Sequence, residues 1–285
     1  MEIELAPRNK RGLRLDTPLL AGSGAVGFGD SWPPGLQPRL FGAIITQGVT
    51  MQPQRGTAQP RLAEIPAGFL LASGDHNPGF RRVMAQQAGT WQRLPTPVIL
   101  SLLGGEPGAR AWMAARLEES EVNIAGIELP VPEDVNLSEA SAFISAVRQV
   151  TTLPILVRLP ATRAAHLARA CVVAGADALI VGTPPPAEYP TEEGLILQAP
   201  IGGPVAFPFT LRALRGVMAL GLDVPIVAAG GIHTLDDMAL CLELGAAAVA
   251  VRSLLWTNPN AAADLARRAH ALLPDIPPSL LSPET

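Results

Sequence analysis

A single parallel (β/α)8 barrel is the architecture predicted for this 285-residue chain, and three observations predict it. Short apolar runs rich in β-branched residues alternate with amphipathic helical patterns throughout. Eight such runs occur, at residues 18–21, 43–46, 97–102, 126–129, 155–159, 178–181, 225–229 and 247–251. They are almost continuously apolar, as strands covered on both faces are, and eight is the number that closes a barrel. A doubly wound open sheet is the alternative for the same units.

At the N-terminus, Ile3-Glu4-Leu5 and Leu13-Arg14-Leu15 alternate at period two around residues 8–11, which predicts a hairpin closing the barrel bottom. Strands 18–21 and 43–46 follow. A long connection over residues 50–96 is Pro/Gly-rich before a single helical pattern. Helical spacing over 108–119, 137–150 and 163–174 separates the next four strands. A second long connection, residues 183–207, is proline-rich and shows little periodicity. Helical patterns over 210–220, 235–244 and 261–272 complete the series. Gly175 and Gly245 supply left-handed helix ends, and Pro154 and Pro225 block helix continuation before a strand. One domain spans residues 1–285. The two long connections leave the C-terminal ends of strands, where barrels carry their sites, and are the expected lid and pocket walls.

Composition removes several function classes. The net charge of −4 and the scattered arginines argue against a nucleic-acid partner. Lys10 is the only lysine, so Schiff-base chemistry, pyridoxal phosphate anchoring and a Walker A lysine lack a candidate. Cys171 and Cys241 sit in helical patterns and read as small core residues. There is no CxxC motif for an iron–sulfur cluster, and His166, His233 and His270 are too dispersed to suggest a metal. With no signal-like N-terminal core and no membrane-length apolar run, the expected compartment is the cytoplasm.

The strongest local signal is Ala228-Ala229-Gly230-Gly231-Ile232 after the seventh strand, with Val251-Arg252-Ser253 after the eighth. Glycine amides, a short helix start and the Arg252 cation together point to phosphate binding.

The order LLAGSGAVGFG, GAIITQGVT, RLAEIPAGFLLASGDHNPG, PVILSL, LPILVRL, GADALIVGT, VPIVAAGGI, GAAAVAVRS covers nearly the whole chain and resembles the class 1 dihydroorotate dehydrogenases. The resemblance implies an FMN-containing barrel acting on a small molecule. It places Ser23, Gly24, Gln47, Gly48, Ser101, Glu128, Arg158 and Val181 around the flavin. Gly203, Gly230, Gly231, Arg252 and Ser253 fall at its phosphate side. Leu71, Gly74, Asp75, His76, Asn77, Gly182 and Thr183 fall on the substrate side. A homo-oligomer, and an electron-transfer partner subunit of the kind used by one subclass, stay open.

The reacting residues depart from the family pattern. Gln47 stands where the family has lysine, and Arg158 replaces the second lysine with another cation. In the family's Asn-x-Ser-Cys-Pro-Asn segment this chain has Glu128-Leu129-Pro130-Val131-Pro132-Glu133, so Val131 occupies the position of the basic cysteine. Leu71, Ser101 and Gly182 replace asparagines. Glu128, Glu133 and His76 are the remaining catalytic candidates. Two carboxylates beside Arg158 predict a site that disfavours orotate-like anions. The expected function is a flavin oxidoreductase with a degenerate catalytic set. A non-catalytic ligand-binding or regulatory barrel is the alternative.

Overall fold

The computed structural model describes residues 3–104, 108–120 and 122–272, so the expected domain limits of 1–285 extend past the described residues at both ends. The hairpin consists of β1 (Ile3–Glu4) and β2 (Arg14–Leu15), antiparallel, with Ile3 opposite Leu15. The Glu4 carboxylate accepts the backbone N–H groups of Ala6 (2.8 Å) and Leu13 (2.5 Å), giving partners to turn donors that burial would otherwise orphan. Leu5, Leu13 and Leu15 then pack with Leu20, Ile99 and Leu156 and stopper one end of the barrel.

Next along the chain are β3 (Leu19–Ala21), β4 (Ala43–Ile45), β5 (Leu62–Ile65), β6 (Gly68–Leu71) and α1 (Phe80–Arg93). Then come β7 (Val98–Ser101), α2 (Ala109–Glu118), β8 (Gly126–Pro130), α3 (Leu137–Arg148), β9 (Ile155–Pro160) and α4 (Ala164–Val173). After β10 (Ala178–Thr183) follow β11 (Pro186–Pro190), β12 (Ile196–Gly202) and α5 (Phe207–Met218). The chain continues through β13 (Ile226–Ala229), α6 (Leu235–Glu243), β14 (Ala248–Val251), α7 (Ser253–Thr257) and α8 (Pro259–Leu272).

Eight parallel strands close the barrel in the order β3-β4-β7-β8-β9-β10-β13-β14, with β14 returning to β3 through Val249 opposite Leu19. The open-sheet alternative falls on that last pairing. Side-chain alternation sorts each strand. Ile127 and Leu129 of β8 and Ile155 and Val157 of β9 point outward into the layer beneath the helices. Leu156 belongs to the interior row, so the alternation turns Glu128 and Arg158 inward with it.

The two long connections are not irregular. β5 and β6 from the first, and β11 and β12 from the second, form one antiparallel sheet in the order β11-β12-β6-β5, joined where Ile201 faces Leu70. Its small core is Ala63, Leu70, Leu197 and Ala199. Pro186 and Pro190 lie on the edge strand β11, where a missing N–H costs no ladder bond, and this hid the strand from a periodicity reading. Helix α5 begins three residues before the expected 210, with Pro208 in its first turn. Capping boxes start α3 (Asn136 with Glu139) and α6 (Thr234 with Asp237). Cys171 and Cys241 are buried, and burial pushes both thiols up to about 12, so they pack as neutral groups. No helix among the described residues is long and apolar enough to cross a membrane.

Candidate active site

A cavity of about 540 Å³ opens where the barrel strands end. Its base is apolar, from Ile45 and Ile180, with one polar pair set into it. Glu128 is fully buried and its Oε1 accepts a hydrogen bond from Arg158 Nε at 2.9 Å. Arg158 Nη1 also donates to Thr183 Oγ1 at 3.3 Å, so the guanidinium is held between β8 and β10. Glu128 Oε2 has no hydrogen-bond partner. A buried acceptor left unpaired costs roughly 1–3 kcal/mol.

At the opposite side, Gly230 (φ 110) and Gly231 (φ 71) turn the chain after β13 in a conformation that disfavours a side chain. Arg252, after β14, lies with its guanidinium carbon 4.8 Å from the Trp256 ring centroid. It has no hydrogen-bond or ion-pair acceptor among the described residues. Arg252 has accessible surface because it lines the cavity, yet the surrounding protein still desolvates it. Burial first, then Arg158, lower its pKa to about 10, against the opposing pull of Asp75 and Glu128. It is a cation without a counter-ion at hydrogen-bonding distance, which is the condition an incoming anion relieves. Ser253 Oγ lies 2.8 Å from His233 Nε2, joining the two turns that flank this end. Burial lowers the His233 pKa, Asp237 acting against it, which favours a neutral ring. Neither His233 nor Trp256 stands out as a site residue in the sequence; for Trp256 the four-residue spacing from Arg252 is the available signal.

Over the cavity, Gln47 Nε2 donates to the backbone carbonyl of His76, tying the end of β4 to the 71–79 segment. Asp75 takes a positive φ of 51, and both Asp75 and His76 line the cavity beside Gly74 and Leu71. Asn77 does not line it. Its amide bonds Thr50, Asp75 and the Gly79 N–H, and so it shapes the loop instead.

The cavity brings together Ser23, Gly24, Gly48, Gly182, Thr183 and Gly203 with the residues above. Ser101 and Val181 are fully buried and outside its lining. Ser101 sits in register with Glu128, and its Oγ is likewise without a partner. Two catalytic-position expectations need correction. Val131 is 5% exposed and outside the lining. Glu133 is outside it too, hydrogen-bonded to Thr162 Oγ1, because the segment after β8 runs against the start of the next connection instead of over the barrel mouth. The charge expectation changes with it. Asp75 and Glu128 face Arg158 and Arg252, so the cavity has no carboxylate excess to repel an anion. Gly182 has its own explanation: at φ 113 an added Cβ would stand 2.1 Å from the Ala229 carbonyl oxygen, and an asparagine does not fit this backbone.

His166 and His233 lie on separate elements, and the His270 side chain falls outside the described residues. Among the described residues no group of three or more His, Cys, Asp or Glu side chains could hold a metal ion. Phe69, Leu103 and Ile201 add apolar walls, two of them from the unexpected sheet.

A closed parallel barrel with a cavity at its strand ends, lined there by a paired-glycine turn and an arginine, defines an α/β-barrel protein with its candidate site at the barrel mouth. The chain belongs to the dihydroorotate dehydrogenase family, whose model matches residues 7–273. It is 32% identical over 270 residues to a protein of Listeria monocytogenes named dihydroorotate dehydrogenase B (NAD(+)), catalytic subunit, covering 87% of this chain and 86% of that one. A protein of the same name from Desulforudis audaxviator is 33% identical over 271 residues, covering 90% and 88%. One from Pelobacter propionicus is 29% identical over 277 residues, covering 91% and 90%. Membership supports oxidoreductase chemistry of the dihydroorotate dehydrogenase kind.

Proposed function

We propose that the chain is an FMN-dependent oxidoreductase acting on a small, pyrimidine-like substrate, with a catalytic set reduced relative to its family. The observation that carries the reading is the Arg252 guanidinium, which faces the cavity beside Gly230 and Gly231 with no acceptor of its own. The residues present fit the cofactor: a cation and glycine turns for its phosphate, and the Glu128–Arg158 pair for a polar ring. FMN bound there would supply hydride chemistry. The chain's own part is to bind and orient. Gln47 fixes the covering segment, while His76 and Glu128 are the cavity groups able to hold or accept a proton.

The relatives' name as catalytic subunits supports an electron-transfer partner subunit for this chain also. A homo-oligomer and the cytoplasm complete the proposal. One observation favours a second reading, a non-catalytic ligand-binding or regulatory barrel: Val131 cannot accept a proton and Gln47 spends its amide on a backbone carbonyl. Purified protein separates the two. A yellow chain whose flavin absorbance bleaches on anaerobic titration with dihydropyrimidines supports the oxidoreductase. A colourless chain indifferent to added FMN overturns it.

A further inference from the structure

We propose that His233 is a positioning residue for the Gly231–Ser253 end of the cavity, orienting the Ser253 hydroxyl towards a bound phosphomonoester and taking up one proton from solvent as the phosphate binds. The inference rests on the reading of this end as the place of the FMN phosphate, and its own content is the proton.

Three observations carry it. Ser253 lines the cavity beside Gly231 and Arg252, while His233 does not, so the ring reaches a ligand only through the Ser253 hydroxyl. The contact runs from His233 Nε2 to Ser253 Oγ at 2.8 Å and joins the turn after β13 to the start of α7. The backbone under the ring is fixed as well. Asp237 Oδ2 accepts the His233 N–H at 3.0 Å while it caps α6 with Thr234.

The consequence lies in the direction of one hydrogen bond. A serine hydroxyl has one proton to donate and two lone pairs with which to accept. With Nε2 unprotonated, Ser253 spends its O–H on the ring and turns lone pairs to the cavity, which repel a phosphate oxygen. With Nε2 protonated, Ser253 accepts from the ring and its O–H is free for the phosphate. A neutral ring takes either arrangement, whereas an imidazolium takes only the second. Burial disfavours the charged ring, and Asp237 acts against it. Asp236 in the same turn of α6 is exposed, the Gly230-Gly231 turn brings no charge, and Arg252 carries its guanidinium over Trp256. A phosphate dianion at Ser253 therefore tips the ring to the imidazolium, and by reciprocity the imidazolium tightens phosphate binding.

Histidine ring titrations by NMR on wild-type protein, free, loaded with FMN and loaded with riboflavin, test this. His233→Gln identifies the His233 signal; should that variant not fold, single replacements of His76, His166 and His270 identify it by elimination. The His233 pKa should rise by about one pH unit or more with FMN, the size expected for a dianion one hydroxyl away, and keep its free value with riboflavin. Such a rise should tighten wild-type FMN binding about threefold between pH 8 and pH 6 relative to His233→Gln, whose amide reaches Ser253 but does not titrate. The comparison with the variant removes the titration of the phosphate itself. An unshifted His233 signal in FMN-loaded protein, or an equal shift with riboflavin, overturns the inference and leaves the FMN reading standing. If FMN does not bind, the proposed function falls, and the ring is titrated in inorganic phosphate instead: a rise supports the inference, and a His233 pKa that phosphate leaves in place overturns it.

Discussion

Replacing Arg252 with alanine should weaken FMN binding while leaving riboflavin binding unchanged. The substitution removes a guanidinium that lies over Trp256 and has no acceptor among the described residues, so no internal ion pair is broken. What is lost is its charge-assisted contact to the phosphate, worth about 1.5–3 kcal/mol, or roughly tenfold to a hundredfold in Kd. Arg252→Lys should fall between wild type and alanine, since the charge is kept and the planar contact with the ring is not. The guanidinium stays charged at neutral pH, so the loss on alanine substitution should shrink as ionic strength rises. Fluorescence quenching of FMN and of riboflavin, titrated with apoprotein, measures both. Unchanged FMN affinity in the alanine variant, or an equal loss with riboflavin, would refute the assignment of Arg252 to the phosphate.

Three further expectations follow from the same geometry. Dihydroorotate should be oxidised poorly, because loss of a general base costs about 10²–10⁴-fold, and Val131→Cys should not restore turnover from a position outside the cavity; wild-type rates of roughly 1–10³ per second would refute this. Glu133→Asn should leave orotate affinity unchanged by calorimetry, since that side chain bonds Thr162 outside the cavity, and a gain of tenfold would return Glu133 to the site. Glu118 is held down to about 2: its partial burial pushes the pKa up, but Thr151, Thr152 and Arg11 outweigh that. Its contribution to stability is therefore present above the ordinary value of 4.5 and is lost as pH falls through about 2. Urea midpoints of Glu118→Gln should lie below wild type near neutrality and converge with it near pH 2; a constant gap would refute the linkage.

The barrel was legible because its signals are local. An apolar run, a glycine helix end and a proline before the next strand each occupy a few residues, and they recur. That Gly230, Gly231 and Arg252 meet at one cavity was legible for the same reason, since they are short-range patterns at the ends of neighbouring strands. What the sequence did not show depends on contacts between distant segments. β6 and β12 pair with β5 and β11 on their outer sides and with each other at Leu70–Ile201 and Phe69–Gly202, and Gly68, Pro200 and Gly202 mask the alternation. Glu133 was placed at the site by its match to the family's Asn-x-Ser-Cys-Pro-Asn segment, but the path of the chain after Pro130 decides where a side chain goes. The partner of Gln47 is a backbone carbonyl, which leaves no trace in residue type.

The sheet over the barrel mouth also bears on how the site is assembled. Its pairing of Leu70 with Ile201 joins positions about 130 residues apart, so closing it carries a loop-closure cost that the neighbouring barrel strands have largely met by then. The wall formed by Phe69 and Ile201 therefore depends on the barrel strands holding the two long connections side by side. Its own core is four buried residues, against the much larger clusters that hold the barrel. Because this wall is hydrogen-bonded within its own four-stranded sheet and not into the barrel ladder, sequence changes in it can reshape the cavity without altering the pairing of the barrel strands.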